Sequence, residues 1–184
     1  KNKIIFNKKI NIPDNILKKF KNSIIYENEN FLILNKWSSI STQGGSKINL
    51  SIDDLIKTIS LQYKLVHRLD KETSGLLVIS KNLISARLFG KLFKSKLIDK
   101  TYLAICEGKP KLNESNVKLD IKSRDGKVEK TETYYKLLNY NKSLSLILFK
   151  PKTGKTHQIR IVSKNIGCPI VGDDKYKYQT KYKN

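Results

Sequence analysis

YKLVHRLDKETSGLLVIS, residues 63–80, decides the fold of this chain. An apolar start at Leu65 and Val66, a polar stretch from His67 to Ser74 and a second apolar run from Leu76 to Ile79 read as strand, loop, strand. Upstream, IIYENENFLILNK has two β-prone runs around the turn-favouring Glu27 to Asn30, the pattern of a hairpin. Between them, Ser51 offers an N-cap and Asp53 and Asp54 a negative first turn, opening a helix through Leu55, Ile56 and Ile59.

Downstream of Asn82, the residues Leu83, Ala86, Leu88, Phe89, Leu92, Phe93 and Leu97 follow a roughly helical period, with Arg87, Lys91 and Lys94 placed outside. TYLAIC reads as a strand. Val117 to Ile121 and Glu129 to Leu138 flank a turn at Asp125-Gly126, and Leu144, Leu146 and Leu148 alternate with Ser143, Ser145 and Ile147, so strands dominate here. Pro151 and Gly154 make a turn before the helix-like HQIRIVSKN, which Gly167 and Pro169 end. Strands and helices mix without a regular βαβ alternation, which predicts an α+β domain with a mixed, mainly antiparallel sheet and flanking helices. Residues 1–20, Lys- and Asn-rich with Pro13 breaking any long helix, read as an arm or linker remnant, and residues 21–184 as one domain.

The chain of 184 residues is 39% hydrophobic, enough to build a core, and no uninterrupted apolar stretch approaches the roughly 20 residues a membrane helix needs. No signal peptide is read at the N-terminus, so the expected compartment is the cytoplasm, with no membrane partner. Cys106 and Cys168 stand outside any CxxC or Cys/His cluster and are expected to be reduced and structural. With only His67 and His157 beside them, no metal site is expected.

A net charge of +21 points to a polyanion, foremost nucleic acid, although a Lys-rich surface also arises from composition alone. Of 37 basic residues only Arg68, Arg87, Arg124 and Arg160 carry a guanidinium, whose planar fork Lys cannot supply.

Three segments hold candidate chemistry. In the first, Asp70 lies with His67, Arg68, Thr73 and Ser74 at the mouth of two strands, where a rigid sheet can hold a carboxylate over a substrate. Alone, such a residue is more often a turn former or a surface ion pair. The second is KTGKTHQIR, where a helix would put His157, Arg160 and Lys164 on one side and let Ile159 and Val162 face the core. A phosphate-loop reading fails, because the glycine it needs at position 149 is Phe149. The third is Tyr102 at the start of a strand, a position usually given to packing.

HRLDKETSGLLVISKN, KTYLAICEG and KTGKTHQIR, in this order, resemble the pseudouridine synthases of the RluA type, which modify ribosomal or transfer RNA. Leu34-Asn35-Lys36 and Gly44-Gly45-Ser46 are also similar to the family's opening strand and loop, most like members acting on large-subunit ribosomal RNA. The resemblance covers most of Ile24 to Tyr176 and implies a pseudouridine synthase catalytic domain that needs no metal or organic cofactor. It implies that Asp70 is the catalytic aspartate, that Arg68 helps flip the target nucleotide, that Tyr102 packs on the target base and that Arg160 pairs with the aspartate. His157 and Gln158 join Arg68, Tyr102 and Arg160 as candidate RNA- or substrate-binding residues.

The implied partner is structured RNA, foremost ribosomal, bound by a monomer. Trp37 stands where relatives read Pro, Ser39 where they read Gly, Gln43 for a frequent His and Ser163 for another. The domain is expected to lack the last strand region of most relatives, and no N-terminal S4-type RNA-binding module is read. A non-catalytic RNA-binding or ribosome-assembly protein would explain the charge but not an aspartate amid cations. A hydrolytic glycosidase would want a second carboxylate, and Asp173-Asp174, the pair nearest the last motif, reads as a loop.

Overall fold

A computed structural model of the chain describes residues 12–45, 48–123 and 125–177. Arg124, Ser46 and residues 1–11 of the expected arm lie outside the described residues. The chain divides into two compact units, Lys1–Ser95 and Lys96–Asn184, where the sequence reads as one domain from residue 21.

In the first unit, helix α1 (Asp14–Asn22) precedes strands β1 (Ile24–Glu27) and β2 (Phe31–Lys36), which form the expected hairpin. The stretch read as an arm is therefore helical from Asp14. Pro13 stands at its N-cap, where a missing N–H leaves no intrahelical bond unmade, and Asp14 in the first turn complements the helix dipole. Phe20, fully buried, ties this helix to the core.

Helix α2 (Ile52–Ile59) opens on a reciprocal capping box. Asp54 N–H donates to Ser51 Oγ at 3.3 Å and Ser51 N–H to Asp54 Oδ2 at 2.9 Å. Strands β3 (Lys64–Leu65) and β4 (Gly75–Ser80) enclose the His67–Ser74 loop, and the sheet order is β1-β2-β4-β3, all antiparallel. Its core gathers Leu32 and Leu34 of β2, Leu77 and Ile79 of β4, and Ile52, Leu55 and Ile56 of α2, all fully buried.

Helix α3 (Leu83–Lys94) is capped by Asn82, whose side chain accepts the Ser85 N–H at 2.8 Å. Its packed face differs from the expected one: Leu83, Leu88 and Leu97 are exposed, and Leu97 lies beyond the helix end. The inward row is Ser85, Phe89 and Phe93, spaced by four, with Phe89 edge-on to Phe31 and Phe93 stacked on His67. Counting apolar residues blurs that row, because Ser85 is polar yet buried and the neighbouring leucines turn one step toward solvent.

The second unit is a four-stranded antiparallel sheet in the order β5-β8-β7-β6, with β5 (Tyr102–Glu107), β6 (Glu114–Lys122), β7 (Val128–Asn141) and β8 (Leu144–Pro151). Period-2 alternation puts Ser145, Ile147, Phe149 and Pro151 on the buried face of β8 and turns Leu144, Leu146 and Leu148 the other way. Helix α4 (Gln158–Asn165) adds Val162 to a core of Cys106, Tyr135, Ile147, Phe149 and Cys168. Both cysteines are free and buried, and burial pushes the Cys106 thiol up to about 12.

The α+β class, with mainly antiparallel strands and flanking helices, is as expected, and the named strands form two antiparallel sheets. The parallel pairing among the described residues is an isolated bridge between Ser41 and Ser51. No helix among the described residues is long and apolar enough to cross a membrane.

Candidate active site

Asp70 stands in the loop between β3 and β4, half-buried, and the unit fixes that loop from beneath. Thr42, itself buried, brackets the preceding residue: its Oγ1 donates to Leu69 C=O at 2.7 Å and accepts the Leu69 N–H at 3.1 Å. Asp70 C=O accepts the Thr73 N–H at 3.1 Å, closing a turn.

Lys36 holds the residue that follows. Strand periodicity sends Lys36 inward behind Leu32 and Leu34, opposite Gly75, whose φ of +117° a side chain would resist. The ammonium, with no exposed surface, donates to the carbonyls of Trp37, Ile40 and Lys71 at 2.9, 3.0 and 3.1 Å. Burial lowers its pKa to about 8, against an upward pull from Glu72 and then Asp70. Ser39 completes the lacing: it adopts the left-handed region at φ 69°, where the resemblance expects Gly, and its hydroxyl donates to Glu72 Oε2 at 3.1 Å.

Arg68 is exposed beside Asp70 in the same loop. His67 does structural work, its Nε2 accepting the Val78 N–H at 2.8 Å just beyond the β3–β4 pairing, so that its proton sits on Nδ1.

In the second unit Tyr102 opens β5 opposite Phe149 and packs, half-buried, on the core. His157 was expected within the last helix and instead caps it in the left-handed conformation, φ 57°. Its Nδ1 lies 3.0 Å from the Tyr176 hydroxyl.

Gln158 is buried, and protein groups meet both ends of its amide. Oε1 accepts from Thr153 Oγ1 at 2.8 Å and Lys155 N–H at 3.0 Å, while Nε2 donates to Glu132 C=O at 3.2 Å and Thr133 Oγ1 at 2.9 Å. This amide staples the 152–157 turn to β7, a scaffolding job. Lys152 and Lys155 of that turn are ion-paired with Glu132 and Glu129 at 2.7 and 2.5 Å.

Arg160 lies on α4 one turn past His157. Its Nε and Nη2 donate to the two oxygens of Asp173, each at 2.7 Å, a bidentate pair. The sequence reads Asp173 as part of a loop and gives it no place in the site. The visible signals were slight: a glycine before it, and a lone guanidinium on the last helix in need of a planar acceptor.

The three motifs thus sit at the ends of rigid elements in a chain of strong positive charge, a setting suited to contact with a polyanion. The comparisons give the class. The sequence matches the family model described as RNA pseudouridylate synthase over residues 30–165, and the chain belongs to that family. It is 46% identical over 168 residues to the ribosomal large subunit pseudouridine synthase C of Rickettsia bellii, a match covering 83% of this chain and 56% of the relative. It is 36% identical over 167 residues to an uncharacterized RNA pseudouridine synthase of Haemophilus influenzae, covering 86% of this chain and 75% of that one. Among solved structures, the human RNA pseudouridylate synthase domain containing 4 is similar with a TM-score of 0.77 and 27% identity, covering 90% of this chain and 73% of that one. The chain spans about 55% of the length of the Rickettsia relatives it matches.

Proposed function

We propose that this chain isomerises uridine to pseudouridine in large-subunit ribosomal RNA, with Asp70 as the catalytic carboxylate. The observation that carries the reading is Asp70 in a loop pinned on both flanks, by Thr42 at Leu69 and by Lys36 at Lys71, within the residues that match the family. A carboxylate that reacts must be held in place, and hydrogen bonds to the flanking backbone restrain the loop that carries it.

The reaction breaks the N1–C1′ bond, turns the uracil and joins C5 to C1′. C5 loses a proton and N1 gains one, so the RNA keeps its mass. Asp70 serves as nucleophile or base. Tyr102 stacks on the displaced base, returning on the order of 1–3 kcal/mol of the stacking lost on flipping. Exposed Arg68 supports that flipping, and the resemblance further implies that Arg160 pairs with Asp70. Lysines on the surface grip phosphates without reading sequence. The ribosomal target follows from the names of the Rickettsia relatives. A cytoplasmic site of action follows in turn from a ribosomal RNA substrate.

The test is conversion of ribosomal RNA by the full chain, read by pseudouridine-specific labelling and by tritium release from 5-tritiated uridine. Wild type is expected to release tritium and Asp70→Asn to retain under about 1% of the rate with RNA affinity kept. Substantial turnover by Asp70→Asn would remove Asp70 from the chemistry. Release of free uracil would show a hydrolase instead.

A further inference from the structure

Around Arg160 the second unit builds more than one ion pair. The segment after α4 runs along the open edge of β5: Glu107 N–H donates to Pro169 C=O at 2.8 Å and Val171 N–H to Ile105 C=O at 3.0 Å. Gly172, at φ +77°, then turns the chain so that Asp173 meets Arg160. The Asp173 side chain is 3% exposed against 26% for Arg160.

Asp173 is itself fixed from the far side. Its Oδ1 accepts the backbone N–H groups of Lys175 and Tyr176 at 2.9 and 3.0 Å. The Tyr176 ring lies 5.0 Å from Arg160 Cζ, and its hydroxyl meets His157 Nδ1. Guanidinium, carboxylate, phenol and imidazole thus form one closed arrangement around the first turn of α4. Asp173 takes two of the five guanidinium N–H groups, Nε–H and one on Nη2, both along one edge of the fork.

We infer that Asp173 is a positioning residue for the reaction, orienting Arg160 through this bidentate pair, with the Tyr176 ring as the wall against which the guanidinium lies; the inference rests on Arg160 serving the proposed isomerisation. An arginine side chain has several rotatable bonds, and in a reacting site freedom of about an ångström can lower a rate on the order of 100-fold. A carboxylate anchored by two backbone N–H groups removes that freedom. It also leaves the opposite edge of the fork to face other acceptors. Lys could not replace Arg160, because an ammonium has no edge to be held by.

The experiment is single-turnover pseudouridine formation by the full chain, with RNA affinity and melting temperature measured alongside, for wild type, Asp173→Asn, Asp173→Glu, Arg160→Lys and Asp173→Asn/Arg160→Lys. Asp173→Asn is expected to slow turnover about 10- to 100-fold while RNA affinity stays within about twofold, with rates taken below every melting transition. Asp173→Glu, which keeps the charge, should recover part of the rate. With Lys at position 160 there is no fork to orient, so adding Asp173→Asn should cost little further rate.

A merely structural Asp173 predicts a different result: losses that multiply in the double variant, or that track melting temperature. Either result overturns the inference, as does a normal rate for Asp173→Asn. If wild type itself makes no pseudouridine, the proposed function falls and takes this inference with it. A normal rate for Asp173→Asn beside an active wild type removes only the inference.

Discussion

Lys36→Met should destabilise the first unit, and the deficit should grow as pH rises. The substitution keeps an unbranched chain of similar length but leaves the carbonyls of Trp37, Ile40 and Lys71 without their ammonium donor, a loss of roughly 1–3 kcal/mol near neutral pH. The pH dependence follows from burial, which lowers the lysine from 10.5 to about 8 in the folded chain. Between those values the unfolded chain binds the proton that the folded one has shed, so wild-type stability rises with pH. Integrated over the window, the rise reaches about 3 kcal/mol, and methionine has no such term.

Urea unfolding of both proteins at pH 7, 8, 9 and 10 isolates the effect, since other titrating groups are common to both and cancel in the difference. The gap should be smallest at pH 7 and widen above pH 8. Removing the Glu72 charge by Glu72→Gln should bring the onset lower, because Glu72 is the foremost charge drawing the ammonium back up. A gap that is flat or narrows with pH would refute the lowering of the Lys36 pKa by burial.

The other predictions concern the site and its support. Asp173, held to about 2 mainly by the Arg160 hydrogen bonds, should contribute about 2 kcal/mol that is present above pH 3.8 and lost as pH falls toward 2; acid unfolding of wild type against Asp173→Asn reads it. Tyr102→Ala should reduce both turnover and RNA binding, whereas Tyr102→Phe keeps the stacking face, so a large rate loss in Tyr102→Phe would assign chemistry to the hydroxyl. Arg68→Ala should slow a folded stem-loop far more than a matched substrate whose target is already unstacked, and equal losses in single-turnover kinetics would contradict the flipping role.

The sequence by itself determined most of the elements, though not helix α1, and pointed to the family. The hairpin of residues 24–36, the Ser51 cap, the strand-loop-strand of residues 63–80 and the β6–β7 pair are written in local periodicity and turn chemistry, which depend on near neighbours. Asp70, Tyr102 and Arg160 became candidates because three separated motifs occur in one order.

Tertiary structure decided what those motifs rest on. Lys36 is polar by type, yet the pleat carries it into the core, where the carbonyls of Trp37, Ile40 and Lys71 meet it. Gln158 is a candidate substrate-binding residue by sequence and a buried staple in the fold, because β7 supplies its partners, Thr133 among them from 25 residues earlier. Asp173 reads as a loop acid and becomes the mate of Arg160 only once the segment after α4 lies along β5. Each of these depends on groups distant in sequence meeting in a low-dielectric interior, and hydrophobic periodicity carries no record of such meetings.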